Sequence, residues 1–148
     1  MSIKTAEKAV NLFDLGYNCA EAVLIALSEH FNQKTPVIPR IATGFGAGIG
    51  RFGQMCGALS GAVMAVGLLI GCDKAEVEKE ERNATYENVL EMVKAFEKQF
   101  GSSQCRMLTQ CDFQTEEGRE NYRKQKHRKN LCPKFIDWCA DYVAKRYE

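Results

Sequence analysis

Proline is scarce in this sequence, with three residues in a chain of 148, and runs that alternate apolar with polar residues are few. Both absences speak against a β-sandwich or barrel, which needs many short alternating strands, and leave helices as the main element. Excess charge of either sign is absent too: twenty Lys and Arg stand against nineteen Asp and Glu, a net charge of +1. Nothing in that balance draws the whole chain to nucleic acid or to a membrane surface. The stretch from Met55 to Ile70 carries no charge but holds only 16 residues, short of the roughly 20 that cross a bilayer. No membrane span is expected. The opening residues MSIKTAEK lack the apolar core of a secretion signal, which points to the cytoplasm. With no repeat, low-complexity tract or second domain in view, the 148 residues are expected to form one domain around a sizeable core.

Also missing is the Cys-x-x-Cys spacing typical of redox motifs and of zinc ligand pairs. Cysteine itself is plentiful, at seven residues. Cytoplasmic thiols stay reduced, so this number points to redox or metal chemistry rather than to a disulfide framework. The odd count leaves at least one thiol without an intramolecular partner. Cys72 and Cys139 are expected to be small buried hydrophobes, a common fate of free cysteine.

Helical signals run along the whole chain. Ala6, Val10 and Phe13 share one face of a helix over Thr5–Leu15, ended by Gly16. Asn18 and Glu21 form a capping box that makes Cys19 the first residue of a second helix, with Ala22, Val23, Ala26 and Leu27 buried. Pro36 and Pro39 break the connection from 32 to 53, which leaves one short turn near Arg40–Thr43. A helix is expected from about Gln54 to Gly71, and another from an Asp73/Glu76 capping box to Phe100, with Val89, Val93, Phe96 and Phe100 on its apolar side. Ser102 and Ser103 are expected to cap a short helix containing Cys105. A polar, basic helix follows from Thr115 to about Lys126. The last helix opens with Pro133 at its first position and Cys132 at the cap, and turns Phe135, Cys139 and Tyr142 to one face. The fold class is therefore all-α: a single-domain bundle of about five to seven helices, with a buried helix rich in small residues near 54–71.

Four cysteines share one local setting. Cys19, Cys56, Cys105 and Cys132 each stand within about one turn of an expected helix N-terminus. Unsatisfied N–H groups and the positive end of the helix dipole favour thiolate there, so the expectation is a lowered pKa. Arg51 and Arg106 are placed to lower Cys56 and Cys105 further. Cys111 has no such setting.

Nine of the twelve glycines lie between Gly44 and Gly71. Gly48, Gly50 and Gly53 match G-x-G-x-x-G, with Asp73 twenty residues after Gly53. That fingerprint needs a strand before it and a βαβ unit around it, and PVIPRIATGFGA makes a poor strand. What remains is a loop able to turn sharply and a helix, with Gly57 and Gly61 four residues apart, that another backbone approaches closely.

The elements YNCAEAVLIAL, GFGAGIGRFGQMCGALSGAVMAVGL, FGSSQCRML and LCPKFIDWCADYV, with Cys19, Cys56, Cys105 and Cys132 in that order, resemble the redox-active protein family named for its cysteine pattern, C_GCAxxG_C_C. The likeness runs from about Gly16 to Val143. One departure stands out: the family name has Gly-Cys-Ala-x-x-Gly, while this chain has Met55-Cys56-Gly57-Ala58-Leu59-Ser60-Gly61. The resemblance implies an all-helical domain and a thiol-based redox role.

The leading expectation is dithiol/disulfide exchange or electron carriage with no required cofactor, serving a redox partner protein or a small-molecule disulfide. Cys56 attacks, reached through its glycine loop, and Cys19, Cys105 or Cys132 resolves. The alternative is a metal site, zinc or an iron–sulfur cluster, with Cys19, Cys56, Cys105 and Cys132 as four ligands. A third class is an interaction protein that uses the basic run RENYRKQKHRKN. With a balanced total charge and one interleaved aromatic, Tyr122, that run reads as a solvated face, and no nucleic-acid partner is expected. His30 and His127 are given surface or capping roles, and Trp138 a packing role. The close-packing and long amphipathic helices would suit a homodimer.

Overall fold

The computed structural model describes residues 4–76 and 79–148. Among them are eight helices and no strand: α1 (Thr5–Leu15), α2 (Cys19–His30), α3 (Gly57–Ile70), α4 (Lys79–Phe100), α5 (Cys105–Thr109), α6 (Glu116–Lys124), α7 (His127–Asn130) and α8 (Cys132–Arg146). None is long and apolar enough to cross a membrane. The count exceeds five to seven because the basic segment is broken. Lys126 takes a left-handed conformation, φ +56°, and separates α6 from α7.

The core lies where α1, α2, α3 and α8 pack together. Apolar spacing explains why. Ala6, Ala9 and Phe13 of α1, Val23, Leu24 and Leu27 of α2, and Ile136, Cys139 and Val143 of α8 recur at three- or four-residue intervals and are all buried. α3 is apolar nearly all round, as a central helix should be, with Gly57 to Ala62 wholly buried. The expected close approach is realised at Gly61: a Cβ there would stand 2.6 Å from the carbonyl oxygen of Ala20. Phe96, Phe100, Phe135 and Trp138 form an aromatic cluster that ties the end of α4 to α8, with Phe96 and Phe135 at 5.9 Å and Phe100 and Phe135 at 4.9 Å.

Three expected boundaries move. Residues 73–76 form a bend and a turn, so Asp73 does not cap a helix; residues 77 and 78 lie outside the described set. α3 starts at Gly57, since Gln54 to Cys56 run alongside 103–105 instead: Cys56 N–H donates to the Ser103 carbonyl at 2.8 Å and Cys105 N–H to the Gln54 carbonyl at 2.6 Å. α5 starts after Gln104, because Ser103 turns its hydroxyl to Glu97 at 2.8 Å and Ser102 accepts from the Gln104 N–H at 3.0 Å.

Candidate functional site

Each of the four cysteines arrives on its own element. Cys19 is the first residue of α2, fixed by the expected capping box: Glu21 N–H donates to the Asn18 side chain and Asn18 N–H to the Glu21 carboxylate, both at 2.9 Å. The same two residues reach further. The Asn18 amide donates to the Thr43 carbonyl at 3.0 Å, and the Thr43 hydroxyl to Glu21 at 2.6 Å. The cap therefore also clamps the 3₁₀ turn Arg40–Phe45 and the glycine loop after it.

That loop takes a rare path. Ala47, Gly48, Ile49, Gly50 and Arg51 have φ of +53°, +67°, +69°, +56° and +74°, five successive left-handed residues. Each non-glycine among them costs about 1–2 kcal/mol relative to a right-handed conformation. Strain of this kind persists where the surroundings impose it, often at functional sites. Here the turn aims the Ala47 N–H at the Cys19 sulfur and lays Gly48 on Cys105, where a Cβ would come within 2.8 Å of the Cys105 Cβ. Gly57 completes the arrangement, since a side chain on it would overlap the Cys19 sulfur.

The result is a single cavity of about 20 Å³ walled by Cys19, Cys56, Cys105 and Cys132, with Gly57 and Phe135 among its other neighbours. That is room for about one water molecule. Four thiols 37, 49 and 27 residues apart in sequence thus share one small space. The structure brings together all four cysteines singled out from the sequence.

Their ionisation departs from expectation. Burial pushes every one up. Cys56 lies well above the usual thiol range, first through burial and then through the neighbouring Cys19 and Cys139 thiols. Cys105 is pushed up to about 12 by burial and by Cys19, Cys132 and Cys111. Burial also takes Cys132 to about 12, opposed by the Tyr122 hydroxyl, which donates to its sulfur at 3.2 Å. Cys19 is raised by burial, against N–H donors from Ala47, Ala20, its own backbone and Ala58. The helix N-termini are there, but desolvation outweighs them. Arg106 does not help, being occupied with Asp112 at 3.4 Å.

Access also differs. Cys56 is 5% exposed, so the expected access through the glycine loop is not realised. Cys19 and Cys132 are the half-buried pair. Cys19 shares the cavity with Cys56, Cys105 and Cys132, and backbone N–H groups of Ala47, Ala20 and Ala58 oppose the effect of burial on its sulfur.

Two neighbours were missed from the sequence. Cys139 packs in the core, as expected of a small hydrophobe, yet it stands close enough to raise Cys56. Its signal was the seven-residue interval from Cys132, two turns along one helix face. Tyr122 was discounted as a stray aromatic in a basic run. It is the inward anchor of α6, held edge-on against Phe113 with ring centres 5.0 Å apart. Cys111 lies just behind, in a small cluster with Cys105 and Phe113. Cys72 is half-buried.

A pH dependence follows. A thiol whose folded pKa lies above its unfolded value of 9.0 favours the folded state fully below that value, and the contribution is lost as pH rises toward about 12. The urea midpoint is therefore expected to hold from about pH 7 to 8.5 and to fall steadily above about 9. A midpoint that stays flat to about pH 11 would rule out buried, neutral thiols.

Among the described residues, no group of three or more His, Cys, Asp or Glu side chains stands close enough to hold a metal ion. A family model described as "Putative redox-active protein (C_GCAxxG_C_C)" matches residues 17–146. No curated protein and no solved structure matches the chain.

Proposed function

The chain belongs to the C_GCAxxG_C_C redox-active family, and on that premise we propose that it is a thiol-based redox protein whose centre is the cavity of Cys19, Cys56, Cys105 and Cys132. The observation that carries this reading is the convergence of four thiols, from four separate elements, on one buried space. In the exchange proposed, an external disulfide meets Cys19 or Cys132, the two half-buried thiols. The protein sulfur bonds to one external sulfur and the other departs as a thiol. A second cavity cysteine then displaces the first external group. The protein ends with one internal disulfide, and the substrate takes up two electrons and two protons as two thiols. Cys19 is the member assigned to every pair, because it is half-buried and backbone N–H groups oppose the effect of burial on its thiolate. Cys56, too buried to attack an outside molecule, becomes a resolving thiol. The raised pKa values fit a centre whose thiols give up their protons on oxidation or on ligation, not one that holds a standing thiolate.

The same convergence supports a second reading, an iron–sulfur protein. A single zinc ion does not fit. It takes four thiolates at about 2.3 Å, a tight tetrahedron that the side chains as placed do not form. A binuclear or larger iron–sulfur cluster divides four thiolates among its irons and lets them stand further apart. Cys19, Cys56, Cys105 and Cys132 would hold it, in a space larger than the 20 Å³ that their side chains enclose here. The Tyr122 hydroxyl already donates to the Cys132 sulfur and the Ala47 and Ala58 N–H groups face that of Cys19, which would support both as ligands, and the cluster would supply one-electron chemistry.

Intact mass under anaerobic conditions, native and denatured, followed by mild oxidation and alkylation of free thiols, separates the two. The dithiol reading expects no bound metal, a loss of two hydrogens on oxidation, and protection of Cys19 with one of Cys56, Cys105 or Cys132. Iron and sulfide in the native mass, lost on denaturation, would replace it with the cluster.

A further inference from the structure

One buried thiol stands outside the cavity and has no part in the exchange proposed above. It is Cys111, and its place follows from how α5 ends. Gln110 closes that helix in a left-handed conformation, φ +58°, and its N–H donates to the Arg106 carbonyl at 2.9 Å. A left-handed cap of this kind brings the residue after it back against the apolar side of the helix just ended. Here that residue is Cys111, and α5 is short enough that it returns to Cys105, the first residue. The two thiols and Phe113 form one buried cluster, against which Ala47 and Tyr122 pack.

Thr109, itself buried, fastens the pair. Its hydroxyl donates to the Cys105 carbonyl at 2.8 Å and accepts from the Cys111 N–H at 3.2 Å. Its carbonyl accepts from the Cys111 thiol at 3.3 Å. Cys105 and Thr109 both line the four-thiol cavity. Cys105 therefore belongs to two groups of sulfurs, the cavity and the cluster with Cys111. At 1% exposure Cys111 is closed to an outside disulfide. Its oxidation has to pass through a neighbouring sulfur, and Cys105 is the sulfur in its cluster.

We propose that Cys111 takes a disulfide out of the cavity by attacking Cys105, so that the protein stores a second disulfide, Cys105–Cys111, behind the first. This rests on the dithiol reading above. Where the cavity disulfide is Cys19–Cys105, the Cys111 sulfur bonds to the Cys105 sulfur and the Cys19–Cys105 bond breaks. Cys19 leaves as a thiol, carrying the proton that Cys111 gave up, and the step neither gains nor loses electrons. A second external disulfide then oxidises Cys19 with Cys56 or Cys132, and takes up two electrons and two protons as two thiols. The exchange is reversible, and this second oxidation draws it forward by consuming the freed Cys19 thiol.

Titration of the full chain with 2-hydroxyethyl disulfide, followed by alkylation, intact mass and tryptic mapping, tests it. Cleavage after Lys98, Arg106 and Arg119 puts Cys105 in residues 99–106 and Cys111 in residues 107–119. The first product is expected to lack two hydrogens, with Cys111 open to alkylation. The second should lack four, with peptides 99–106 and 107–119 joined. Cys111→Ser keeps the size of the side chain and a donor for the Thr109 carbonyl. It is expected to slow the second two-hydrogen loss at least about tenfold, since the nearby thiol is gone. Cys72→Ser should lose all four hydrogens as the unmodified chain does. Loss of four hydrogens with Cys111 still open to alkylation overturns the proposal. So does oxidation that stops at two, or a Cys111→Ser chain that loses the second pair at the unmodified rate. Each of these leaves the cavity reading standing, whereas a chain that loses no hydrogen overturns both.

Discussion

Replacing Cys19 with serine is expected to slow the oxidation-linked change far more than any other single cysteine replacement does. Serine keeps the size of the side chain and the start of α2, where the Asn18–Glu21 box does the capping. Folding is therefore spared. What disappears is the half-buried cavity sulfur whose thiolate the backbone N–H groups of Ala47, Ala20 and Ala58 support. Without it the cavity loses the thiol assigned to every pair, and only the slower pairings among Cys56, Cys105 and Cys132 remain. The expected fall in the rate of two-hydrogen loss, read by mass after thiol blocking, is at least about a hundredfold, given how strongly intramolecular geometry favours such steps. Cys56→Ser, Cys105→Ser and Cys132→Ser should each leave a measurable residue of reactivity. Cys72→Ser should behave as the unmodified chain. If Cys72→Ser and Cys19→Ser lose activity alike, the cavity is not the centre.

The contrast with Cys72 also marks where the sequence was legible. Capping residues and apolar spacing located α1, α2 and α8 nearly to the residue, because those signals are local. The four cysteines could be singled out because each stands within about one turn of an expected helix N-terminus. Their convergence could not, since it depends on how α2, α3, α5 and α8 pack. The pKa direction was misread for a related reason. A helix N-terminus is visible in sequence, but desolvation is a property of the assembled core, and here it is the larger effect. Tyr122 escaped notice because its basic neighbours describe the outer face of α6, while the residue itself turns inward. The split at Lys126 was hidden as well: nothing in KQKHRKN announces a left-handed lysine.

The glycines of α3 allow the convergence, and alanine there should undo it. At Gly61 an added Cβ would lie 2.6 Å from the Ala20 carbonyl oxygen and 3.2 Å from the Val23 Cβ. Neither is a flexible side-chain end, so α2 and α3 must separate. Alanine raises helix propensity by about 1 kcal/mol, while overpacking a close helix contact costs about 1–3 kcal/mol, and more where backbone is struck. The collision wins. Gly61→Ala is expected to lower stability by about 2 kcal/mol, a fall in Tm of roughly 4–8 °C for a chain of this length. Gly57→Ala strikes the Cys19 sulfur itself. It should cost a similar amount and, in addition, displace Cys19 from the cavity. Thermal melts with oxidation mapping check both at once. Gly57→Ala should lose the two-hydrogen change at temperatures where its circular dichroism remains fully helical. A Gly57→Ala protein that melts normally and oxidises normally would show that Cys19 does not depend on the bare first turn of α3.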